Sequence, residues 1–506
     1  MSECDVMVVG LGPVGAALSA LLADRGLSVV AIDKDSLVYP LPRAAHFDHE
    51  IMRLFQQLGV ADAVADQAQV APAYEFRTAR GEVLMRFDFD GAGSLSGWAP
   101  SYMFHQPAME AALRARLAAS ERVDVRLETV FTGFSQDADG VYVEVEGPQG
   151  RSTVRARYLV GCDGAWSPVR EGLGIGLDDY GFDEPWLVID VLVGDTDRLP
   201  AINLQICDPA RPTTCVLMGP GRHRWEFMLA PGETAEQVTE ENFIRDLLRP
   251  WDCGEDIVIE RRAVYRFHGL VAKSWRDRRV LIAGDAAHQT PPFAGQGMCS
   301  GLRDAANLAW KLAAIVRHGA DESLLDSYQT EREPHTRALI ERAIGMGRVV
   351  CTADRAAAAA RDEAMLAQRR AGAQAPLPAP LDFAQGCLLT GSNGAGGLFP
   401  QPWAERDGAA LRLDDVLGAE AWLISRSTPV IGRTLAPLTA VGLDDPILAP
   451  FRERLITWLD KQGADAVLVR PDRYVFGTGD PGDLAANFAA ALTGRPTGAT
   501  AERVAG

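Results

Sequence analysis

The segment Asp5-Val-Met-Val-Val-Gly10-Leu-Gly12-Pro-Val-Gly15 decides the fold of the N-terminal part of this chain. Its first half is a short run of apolar, mostly β-branched residues, which is typical of a buried parallel strand. Three glycines follow as a tight turn, and residues 16–25 have the pattern of a helix. A second apolar run over residues 28–33 ends at Asp33. The segment therefore predicts a strand–helix–strand unit at the start of the chain.

The glycine turn between this strand and this helix has the chemistry of a phosphate site. Glycines let the backbone approach a pyrophosphate closely, and the N-terminus of the helix offers unpaired N–H groups to the anion. Asp33 stands at the end of the second strand, where a carboxylate accepts hydrogen bonds from ribose hydroxyl groups. The pattern predicts that the unit binds a dinucleotide, and it leaves open which one.

Composition excludes several other classes of protein. The 506 residues hold 50 Lys plus Arg against 68 Asp plus Glu, a formal net charge of −18, whereas a nucleic-acid-binding protein needs a basic surface. The eight cysteines form no CxxC pair and no metal-ligand spacing with histidine, so we expect neither a disulfide framework nor a metal site. Residues 6–23 carry no charge, but their glycines and proline argue against a membrane span. We expect a cytoplasmic protein that binds neither nucleic acid nor membrane.

Two later segments narrow the identity of the dinucleotide. Cys162-Asp163-Gly164 follows one predicted strand, and Gly284-Asp285 follows another. Asp285 can bind a polyol chain. A helix is expected to begin at the turn from Gly295 to Gly297, and its first N–H groups can face a further anionic or carbonyl-rich ligand. A plain nicotinamide dehydrogenase needs no second acid for a ribityl chain, whereas a flavoprotein does. The combination therefore favours FAD.

With these motifs, the chain resembles the class A flavoprotein aromatic hydroxylases, the para-hydroxybenzoate hydroxylase superfamily, over residues 3–350. The resemblance implies that the glycine turn holds the FAD pyrophosphate, that Asp163 and Gly164 serve FAD and reduced nicotinamide, and that Asp285 holds the ribityl chain. It also places Arg43 on a mobile loop near the flavin and gives Gln106 an FAD-binding role. The FAD-binding residues predicted in this way are Gly10, Gly12, Gly15, Asp33, Lys34, Arg43, Gln106, Asp163, Gly164, Gly284, Asp285, Pro292, Gly295, Gly297 and Met298.

Within that superfamily, five segments resemble the 3-(3-hydroxyphenyl)propionate hydroxylases, namely residues 39–48, 98–107, 181–186, 225–233 and 295–304. The resemblance implies an enzyme that hydroxylates a carboxylated phenol next to its hydroxyl group, with NADH or NADPH and O₂, through a flavin C4a-hydroperoxide. One alternative is a related FAD hydroxylase that acts on a polyketide or antibiotic aromatic scaffold. Another is a flavin-binding redox or interaction protein without oxygenase turnover.

Two residues of the loop over residues 43–46 are the candidate catalytic residues. Arg43 would stabilise the negative charge that grows on the flavin ring as hydride arrives. His46 has a side chain whose ordinary pKa suits a base for the phenol, although it could equally shape the loop. Asp48 is a further candidate base or a helix cap, and His288 is expected to position the Gly284–Asp285 turn.

The substrate pocket is expected to draw on the middle of the chain. A substrate carboxylate would require an arginine, and Arg211, Arg224 and Arg266 are equivalent candidates at this point. The predicted pocket residues are Gln205, Met218, Trp225, Phe227, Tyr265 and Phe293, with Asn203 and Cys215 as further candidates.

The fold class expected from these patterns is α/β, and α+β over the whole chain. A Rossmann-like FAD-binding domain would comprise residues 1–180 and 273–355, interrupted by a mostly antiparallel substrate domain over residues 181–272. A linker over residues 356–381 would lead to a C-terminal domain over residues 382–506, which resembles the thioredoxin-like domain of phenol hydroxylases but has no CxxC. We expect this C-terminal domain to serve packing, folding support or contacts in a homodimer.

Overall fold

The structure is a computed structural model that describes residues 2–89, 93–254, 257–373, 380–406, 408–432 and 434–495. Strands and helices alternate along the chain, which has a mixed α/β fold. The strands are β1 (Ser2–Val9), β2 (Val29–Ile32), β3 (His46–Asp48), β4 (Ala68–Val70), β5 (Ala73–Thr78), β6 (Val83–Asp88), β7 (Ser101–Phe104), β8 (Val123–Arg126), β9 (Val130–Gln136), β10 (Val141–Gly147), β11 (Gly150–Gly161), β12 (Leu177–Leu192), β13 (Asn203–Cys207), β14 (Thr213–Leu217), β15 (Arg222–Met228), β16 (Val258–Ala272), β17 (Arg276–Asp277), β18 (Val280–Ile282), β19 (His288–Gln289), β20 (Trp403–Arg406), β21 (Ala409–Arg412), β22 (Ala421–Ser425), β23 (Leu438–Gly442), β24 (Ala466–Val469) and β25 (Val475–Gly479). The helices are α1 (Pro13–Asp24), α2 (His49–Gln57), α3 (Ala61–Ala65), α4 (Gln106–Ala118), α5 (Pro168–Gly172), α6 (Ala235–Val238), α7 (Glu241–Leu248), α8 (Gly297–His318), α9 (Asp326–Val350), α10 (Arg355–Arg370), α11 (Leu413–Leu417), α12 (Arg452–Gln462) and α13 (Pro481–Leu492).

The first sheet is built on the predicted strand–helix–strand unit. Its strand order is β17-β18-β11-β1-β2-β8, and the strands from β18 to β8 run parallel. Strand β10 extends it through antiparallel pairing with β11, and β9 pairs antiparallel with β10. Helices α1 and α8 lie against each other, and both bury apolar faces in the main hydrophobic core. The carboxyl ends of β1, β2, β11 and β18 meet at one edge, where a parallel sheet places its ligands.

The second sheet is larger than the sequence predicted. Its order is β19-β16-β12-β15-β14-β13-β5-β6, antiparallel except where β13 runs parallel to β5. Residues 181–272 were expected to form it alone, but β5 and β6, from residues 73–88, add two strands at one edge. Pairing between residues so distant in sequence leaves no local signal, which is why the predicted boundary missed them.

The last part of the chain has a small sheet of its own, with the order β23-β22-β24-β25. The region predicted as a linker contains α10 over Arg355–Arg370, so most of its described part is helical, and residues 374–379 lie outside the described residues. Residues 407, 433 and 496–506 of the C-terminal region also lie outside them. Among the residues that the structure describes, no helix is long and apolar enough to cross a membrane.

A buried ion cluster joins the C-terminal sheet, β22 to β25, to the helices α8 and α9 of the FAD-binding part of the chain. Arg470 Nη1 and Nη2 donate to Glu331 Oε1 (2.9 Å) and Oε2 (2.8 Å), and Arg470 Nη2 also donates to Asp472 Oδ2 at 2.5 Å. Lys311 Nζ on α8 donates to the same Glu331 carboxylate at 2.8 Å. A second buried ion pair, between Arg53 on α2 and Asp414 on α11, also links the FAD-binding part of the chain to the C-terminal region. Both clusters are buried, so the two parts share an interface that excludes water.

Candidate active site

The glycine turn after β1 can hold a phosphate group because no side chain fills it. Gly10 has a φ of +94°, and a methyl group placed on it would lie 2.5 Å from the carbonyl oxygen of Cys162. A methyl group on Gly15 would lie 1.9 Å from the carbonyl oxygen of Gly10. Gly12 caps α1 without a side-chain hydrogen bond, so the first N–H groups of α1 stay open to an anion.

Asp33 holds the glycine turn in place at the end of β2. Its Oδ2 accepts a hydrogen bond from the backbone N–H of Leu11 at 2.8 Å. Arg114 Nη2 lies 3.4 Å from the same oxygen, so a cation from α4 compensates the charge of Asp33. Lys34, the next residue, is exposed. The sequence predicted Asp33 and Lys34 as FAD-binding residues, and it did not indicate Arg114.

The loop that carries Arg43 is held from two sides. Gln106 Oε1 accepts hydrogen bonds from the backbone N–H groups of Arg43 (2.9 Å) and Ala44 (2.6 Å). From β15, Arg224 Nη1 donates to the carbonyl oxygen of Arg43 at 2.8 Å. The guanidinium of Arg43 is exposed and lies beside the glycine turn, since a methyl group on Gly12 would be 3.8 Å from its Nη2. The structure therefore places this charge at the phosphate end of the site.

Gln106, at the start of α4, lies between the Arg43 loop and Glu110. Its Oε1 binds the Arg43 loop, and its Nε2 donates to Glu110 Oε1 at 2.6 Å. Burial raises the pKa of Glu110, while the hydrogen bond from Gln106 opposes that rise. Both ends of the amide contact protein groups, so Gln106 positions the loop, and its FAD-binding role stays a prediction.

The two acidic motifs lie at the same edge of the first sheet. Asp163 Oδ2 accepts a hydrogen bond from the backbone N–H of Val169 at 3.0 Å, whereas its buried Oδ1 has no hydrogen bond of good geometry among the described residues. Burial raises the pKa of Asp163. Gly164 follows with a φ of +83°. The Asp285 carboxylate is exposed and has no partner in the part of the chain that the structure describes.

His288 positions the turn at Gly284, as its sequence context predicted. Its Nε2 bonds to Asp304 Oδ2 at 2.7 Å, and the backbone N–H of Gly284 donates to the same oxygen at 3.1 Å. Arg332 Nε donates to the other oxygen of Asp304 at 2.9 Å. His288, Asp304 and Arg332 are all buried, so they hold the turn from behind and leave Asp285 free on the other side.

The segment from Pro292 to Met298 contacts the loop of His46. Gly295 has a φ of +62°, and a methyl group on it would lie 2.7 Å from His46 Nδ1. His46 Nδ1 lies 3.1 Å from the carbonyl oxygen of Gly295, and because a carbonyl only accepts, Nδ1 carries the proton. Burial lowers the pKa of His46, so the ring is neutral near pH 7, and its Nε2 accepts no hydrogen bond from the residues that the structure describes. The segment ends where Gly297 and Met298 begin α8.

Asp48 is a helix cap and not a free base. Its Oδ1 accepts hydrogen bonds from the backbone N–H groups of Glu50 (3.1 Å) and Ile51 (3.2 Å) at the start of α2. Its Oδ2 accepts from Arg303 Nη2 at 2.5 Å. Burial raises the pKa of Asp48, but the charge and the hydrogen bond of Arg303, together with the nearby histidines, outweigh this effect and lower the pKa below its ordinary value.

The inner face of the second sheet, defined here as the face that carries Asp190 and Arg224, is turned toward the Arg43 loop. Arg224 Nε donates to Asp190 Oδ1 at 2.6 Å. Arg261 on β16 donates to the carbonyl oxygen of Pro42 and lies 3.4 Å from Asp190 Oδ2. These three buried side chains form an ion cluster that clamps the loop from the sheet side.

Three of the predicted pocket residues lie on the other face of this sheet. Trp225, Phe227 and Cys215 pack in a separate hydrophobic cluster with Ile244 and Leu248 of α7. Side chains alternate between the two faces of a strand, so the neighbours of Trp225, Arg224 and Glu226, point to the inner face instead. The prediction that Trp225 and Phe227 line the pocket is therefore wrong, and so is the suggestion of Cys215.

The remaining predicted pocket residues have the following surroundings. Gln205 Nε2 donates to Tyr74 Oη at 2.7 Å, and Tyr74 Oη donates to the carbonyl oxygen of Phe293 at 3.1 Å. The Phe293 ring packs in an aromatic cluster with Phe182, Trp186 and Phe267. The other three also have protein neighbours: Asn203 contacts Met103, Met218 is buried at the turn after β14, and Tyr265 lies under Arg261.

None of the three arginines considered for a substrate carboxylate is free. Arg211 pairs with Glu233 through two hydrogen bonds of 2.6 Å, and Arg224 pairs with Asp190. Arg266 Nη1 donates to Asp183 Oδ2 at 3.0 Å on the exposed edge of the sheet. The expectation that one of them receives a substrate carboxylate finds no support in this geometry.

The residues at the edge of the first sheet fit FAD. The empty glycine turn and the open N-terminus of α1 suit a pyrophosphate, and the unpartnered carboxylate of Asp285 suits the hydroxyl groups of a ribityl chain. The N-terminus of α8 at Gly297 offers N–H groups to the carbonyl groups of an isoalloxazine. When bound, FAD accepts hydride and activates O₂.

Comparison with known proteins agrees with this site. The family model described as FAD binding domain matches residues 3–343, and the model of the HcaD C-terminal domain matches residues 446–494. A probable NADH-specific resorcinol 4-hydroxylase of Rhodococcus jostii (strain RHA1) is 39% identical over 492 residues, which cover 94% of this chain and 91% of that protein. The chain belongs to the FAD-dependent aromatic hydroxylases. It is a flavoprotein monooxygenase.

Other relatives of this hydroxylase extend the comparison. A 3-(3-hydroxy-phenyl)propionate/3-hydroxycinnamic acid hydroxylase of Mycolicibacterium smegmatis (strain ATCC 700084 / mc(2)155) is 34% identical over 97% of this chain and 93% of its own length. Among solved structures, the flavin-dependent monooxygenase PieE in complex with FAD and substrate has a TM-score of 0.79 at 22% identity, over 98% of this chain and 99% of that one. That similarity shows that the two proteins share a fold.

The FAD site of the hydroxylase can be tested at Asp285. We expect Asp285→Ala to weaken FAD binding by about 10- to 100-fold, since a hydrogen bond to a charged group contributes roughly 1.5–3 kcal/mol. Titration of the flavin-free protein with FAD measures this change, and Asp139→Ala, which removes an exposed carboxylate between β9 and β10, is the control. The yellow colour should separate from the denatured protein on filtration, because Gly12, Asp33 and Asp285 would contact the phosphate, ribose and ribityl groups without a nucleophile for covalent attachment. Unchanged FAD affinity in Asp285→Ala would contradict the assignment.

Proposed function

We propose that this enzyme hydroxylates a small phenol with a second substituent in the meta position, next to the phenolic hydroxyl group, using NADH and O₂. The observation that carries the proposal is the identity of 39% over 94% of the chain with a relative named for resorcinol and NADH. Resorcinol and 3-(3-hydroxyphenyl)propionate, named for the two kinds of relative, are both meta-substituted phenols. A polyketide scaffold is the alternative, and its support is limited to fold similarity, for example to aklavinone-11 hydroxylase at 23% identity.

The residues around the site support this proposal in three ways. The aromatic cluster of Phe182, Trp186, Phe267 and Phe293 excludes water beside residues 292–298, called here the cofactor segment. This suits an oxygen transfer that competes with release of H₂O₂. The neutral His46 has a free Nε2 that can take the proton of the phenol. Arg43 and the N-terminus of α1 place positive charge where the FAD phosphates would bind.

The proposal is tested by measuring NADH and NADPH oxidation against a panel of phenols, with hydroxylated product and H₂O₂ determined together. We expect a meta-substituted phenol to stimulate NADH oxidation and to yield a product with one added hydroxyl group. A protein that holds FAD but oxidises NADH equally with and without every phenol would instead be the non-oxygenating flavoprotein of the alternative hypothesis.

The remaining parts of the chain also fit this enzyme. We propose the domain division 1–180, 181–272, 273–355 and 382–506, with residues 73–88 added to the substrate domain. In the last domain β22 is parallel to β23 and antiparallel to β24, which in turn is antiparallel to β25, and this order supports a thioredoxin-like fold. The buried ion cluster with Glu331 supports a packing role for that domain, with homodimer contacts as a further use. All eight cysteines are free thiols, which supports a cytoplasmic location.

A further inference from the structure

A buried carboxylate lies on the inner face of the second sheet. Glu226 on β15 is 6% exposed, and its strand neighbours Trp225 and Phe227 pack on the opposite face. Arg224, two residues earlier on the same face, reaches the Arg43 loop through the carbonyl oxygen of Arg43. Glu226 therefore points to the space between the sheet and the Arg43 loop, on the side where FAD binds.

The carboxylate of Glu226 has no hydrogen-bond donor among the described residues. Its closest cation is Arg224, whose Nη1 lies 3.9 Å from Oε1, beyond hydrogen-bond distance. The guanidinium of Arg224 is already used, because it donates to both oxygens of Asp190 and to the carbonyl oxygen of Arg43. Burial raises the pKa of Glu226. A buried acceptor without a donor is costly, and in native proteins such a group ordinarily has a ligand or a water molecule as its partner.

A row of polar side chains leads from Glu226 to the cofactor segment. Thr214, the cross-strand partner of Glu226, donates through Oγ1 to Gln205 Oε1 at 2.7 Å. Gln205 Nε2 donates to Tyr74 Oη, which donates to the carbonyl oxygen of Phe293. Burial raises the pKa of Tyr74, the hydrogen bond from Gln205 opposes that rise, and the charge of Glu226 adds to it. One end of the row is thus at residues 292–297, and Glu226 is at the other end.

The charges on this face disfavour a carboxylated substrate. Asp190 and Glu226 are balanced by Arg224 and Arg261, and the two arginines are already bound to Asp190 and to loop carbonyl oxygens. A substrate carboxylate placed beside Glu226 would meet a like charge in a region that excludes water, where repulsion is strong. A hydroxyl group would instead donate the hydrogen bond that Glu226 lacks.

We propose that Glu226 binds the second hydroxyl group of the substrate, so that the enzyme selects an uncharged benzene-1,3-diol over a phenol with a carboxylate side chain. This inference rests on the proposed function and narrows its substrate class. Glu226 is a substrate-binding residue in this proposal, and the reacting hydroxyl group lies toward the cofactor segment. The sequence did not indicate Glu226, because the apolar residues that surround it in β15 suggested that the pocket was lined by its neighbours.

The test measures ligand binding through the change in flavin absorbance, with resorcinol, phenol and 3-(3-hydroxyphenyl)propionate as ligands. The parent protein should bind resorcinol at least about tenfold more tightly than either other ligand. In Glu226→Gln the affinity for resorcinol should fall by about 10- to 100-fold, since the acceptor loses its charge, while the affinity for the carboxylated ligand stays or rises. Glu226→Met, which has a similar volume, should lose the preference for resorcinol over phenol altogether.

Glu260→Gln is the matched control, because Glu260 lies on β16 of the same sheet and pairs with Arg222 on the side of the molecule that solvent reaches. The Glu260→Gln variant should bind resorcinol more tightly than phenol and 3-(3-hydroxyphenyl)propionate, as the parent does. A parent that hydroxylates phenols but binds the carboxylated ligand best, or a preference that survives both changes at Glu226, would overturn this inference and leave the proposed function intact. Absence of phenol-stimulated NADH oxidation in the parent would overturn the proposed function itself.

Discussion

Replacing Arg470 with Met is expected to lower the free energy of unfolding by about 3–5 kcal/mol, which is the usual effect of removing one partner from a buried ion pair. Arg470 is fully buried and holds both oxygens of Glu331 as well as the carboxylate of Asp472. Without it, the described partners of Glu331 are Lys311 Nζ at 2.8 Å, Asn307 Nδ2 at 2.6 Å and the backbone N–H of Cys387 at 2.8 Å, and Lys311 is the single cation among them. The variant therefore leaves negative charge uncompensated between the C-terminal sheet and the helices α8 and α9.

Urea unfolding of the parent and of Arg470→Met, at one fixed FAD concentration, measures this effect. Arg426→Met is the control, because Arg426 pairs with Asp460 at the surface, and its loss should cost less than about 1 kcal/mol. Burial raises the pKa of Glu331, but the charges of Arg470 and Lys311 outweigh this and hold it at about 2, below the ordinary value of 4.5. The stabilisation is therefore present above pH 4.5 and is lost as the pH falls toward 2, so the difference between the two proteins should shrink over that range. A difference below 1 kcal/mol at pH 7 would contradict the prediction.

The second large effect is expected for Arg43→Ala. The guanidinium lies beside Gly12 at the phosphate end of the site, so its loss should weaken FAD binding by about 10- to 100-fold. With FAD saturating, we also expect substrate-stimulated flavin reduction to slow by at least about tenfold, because the family resemblance places the Arg43 loop near the flavin, where a positive charge stabilises the negative charge that grows on the ring as hydride arrives. Coupling of reduced flavin to hydroxylated product should change less.

Two measurements check the Arg43 prediction separately. Titration with FAD reports the binding effect, and stopped-flow reduction by NADH at saturating FAD reports the rate. Arg80→Ala, on the turn between β5 and β6, removes an exposed arginine elsewhere and should leave both unchanged. Normal reduction with severe release of H₂O₂ would place Arg43 in the oxygenation step instead, and unchanged FAD affinity would remove it from the phosphate site.

The sequence was most informative where structure depends on neighbouring residues. The expected strand, turn and helix over residues 5–25 correspond to β1 and α1, and Asp33 follows β2 as predicted. Such elements can be read from sequence because hydrophobic period and backbone conformation are local properties, and Gly10 needs a positive φ that other residues avoid. The same reasoning located the turns at Asp163 and Asp285, each directly after a buried strand.

The inner face of the second sheet was less predictable. Side chains along β15 alternate between the two faces of the sheet, so Trp225 and Arg224 lie on opposite faces. Because protein covers both faces, hydrophobicity does not show which face lines the pocket, and it selects the wrong side chains. Cys215 and Phe227 were misassigned for the same reason. The clamp on the Arg43 loop was also missed, since its members Asp190 and Arg261 come from different strands.

The sequence by itself determined the class of cofactor, the strand–helix–strand unit that holds it and the family to which the chain belongs. Only the tertiary structure decided which charges are already paired and which are left for a ligand. Tyr74 meets Gln205 across 131 residues of chain, and Arg470 meets Glu331 across 139. Contacts of that kind depend on which strands become neighbours, and strand pairing is set by the summed burial of whole elements, which no local pattern records.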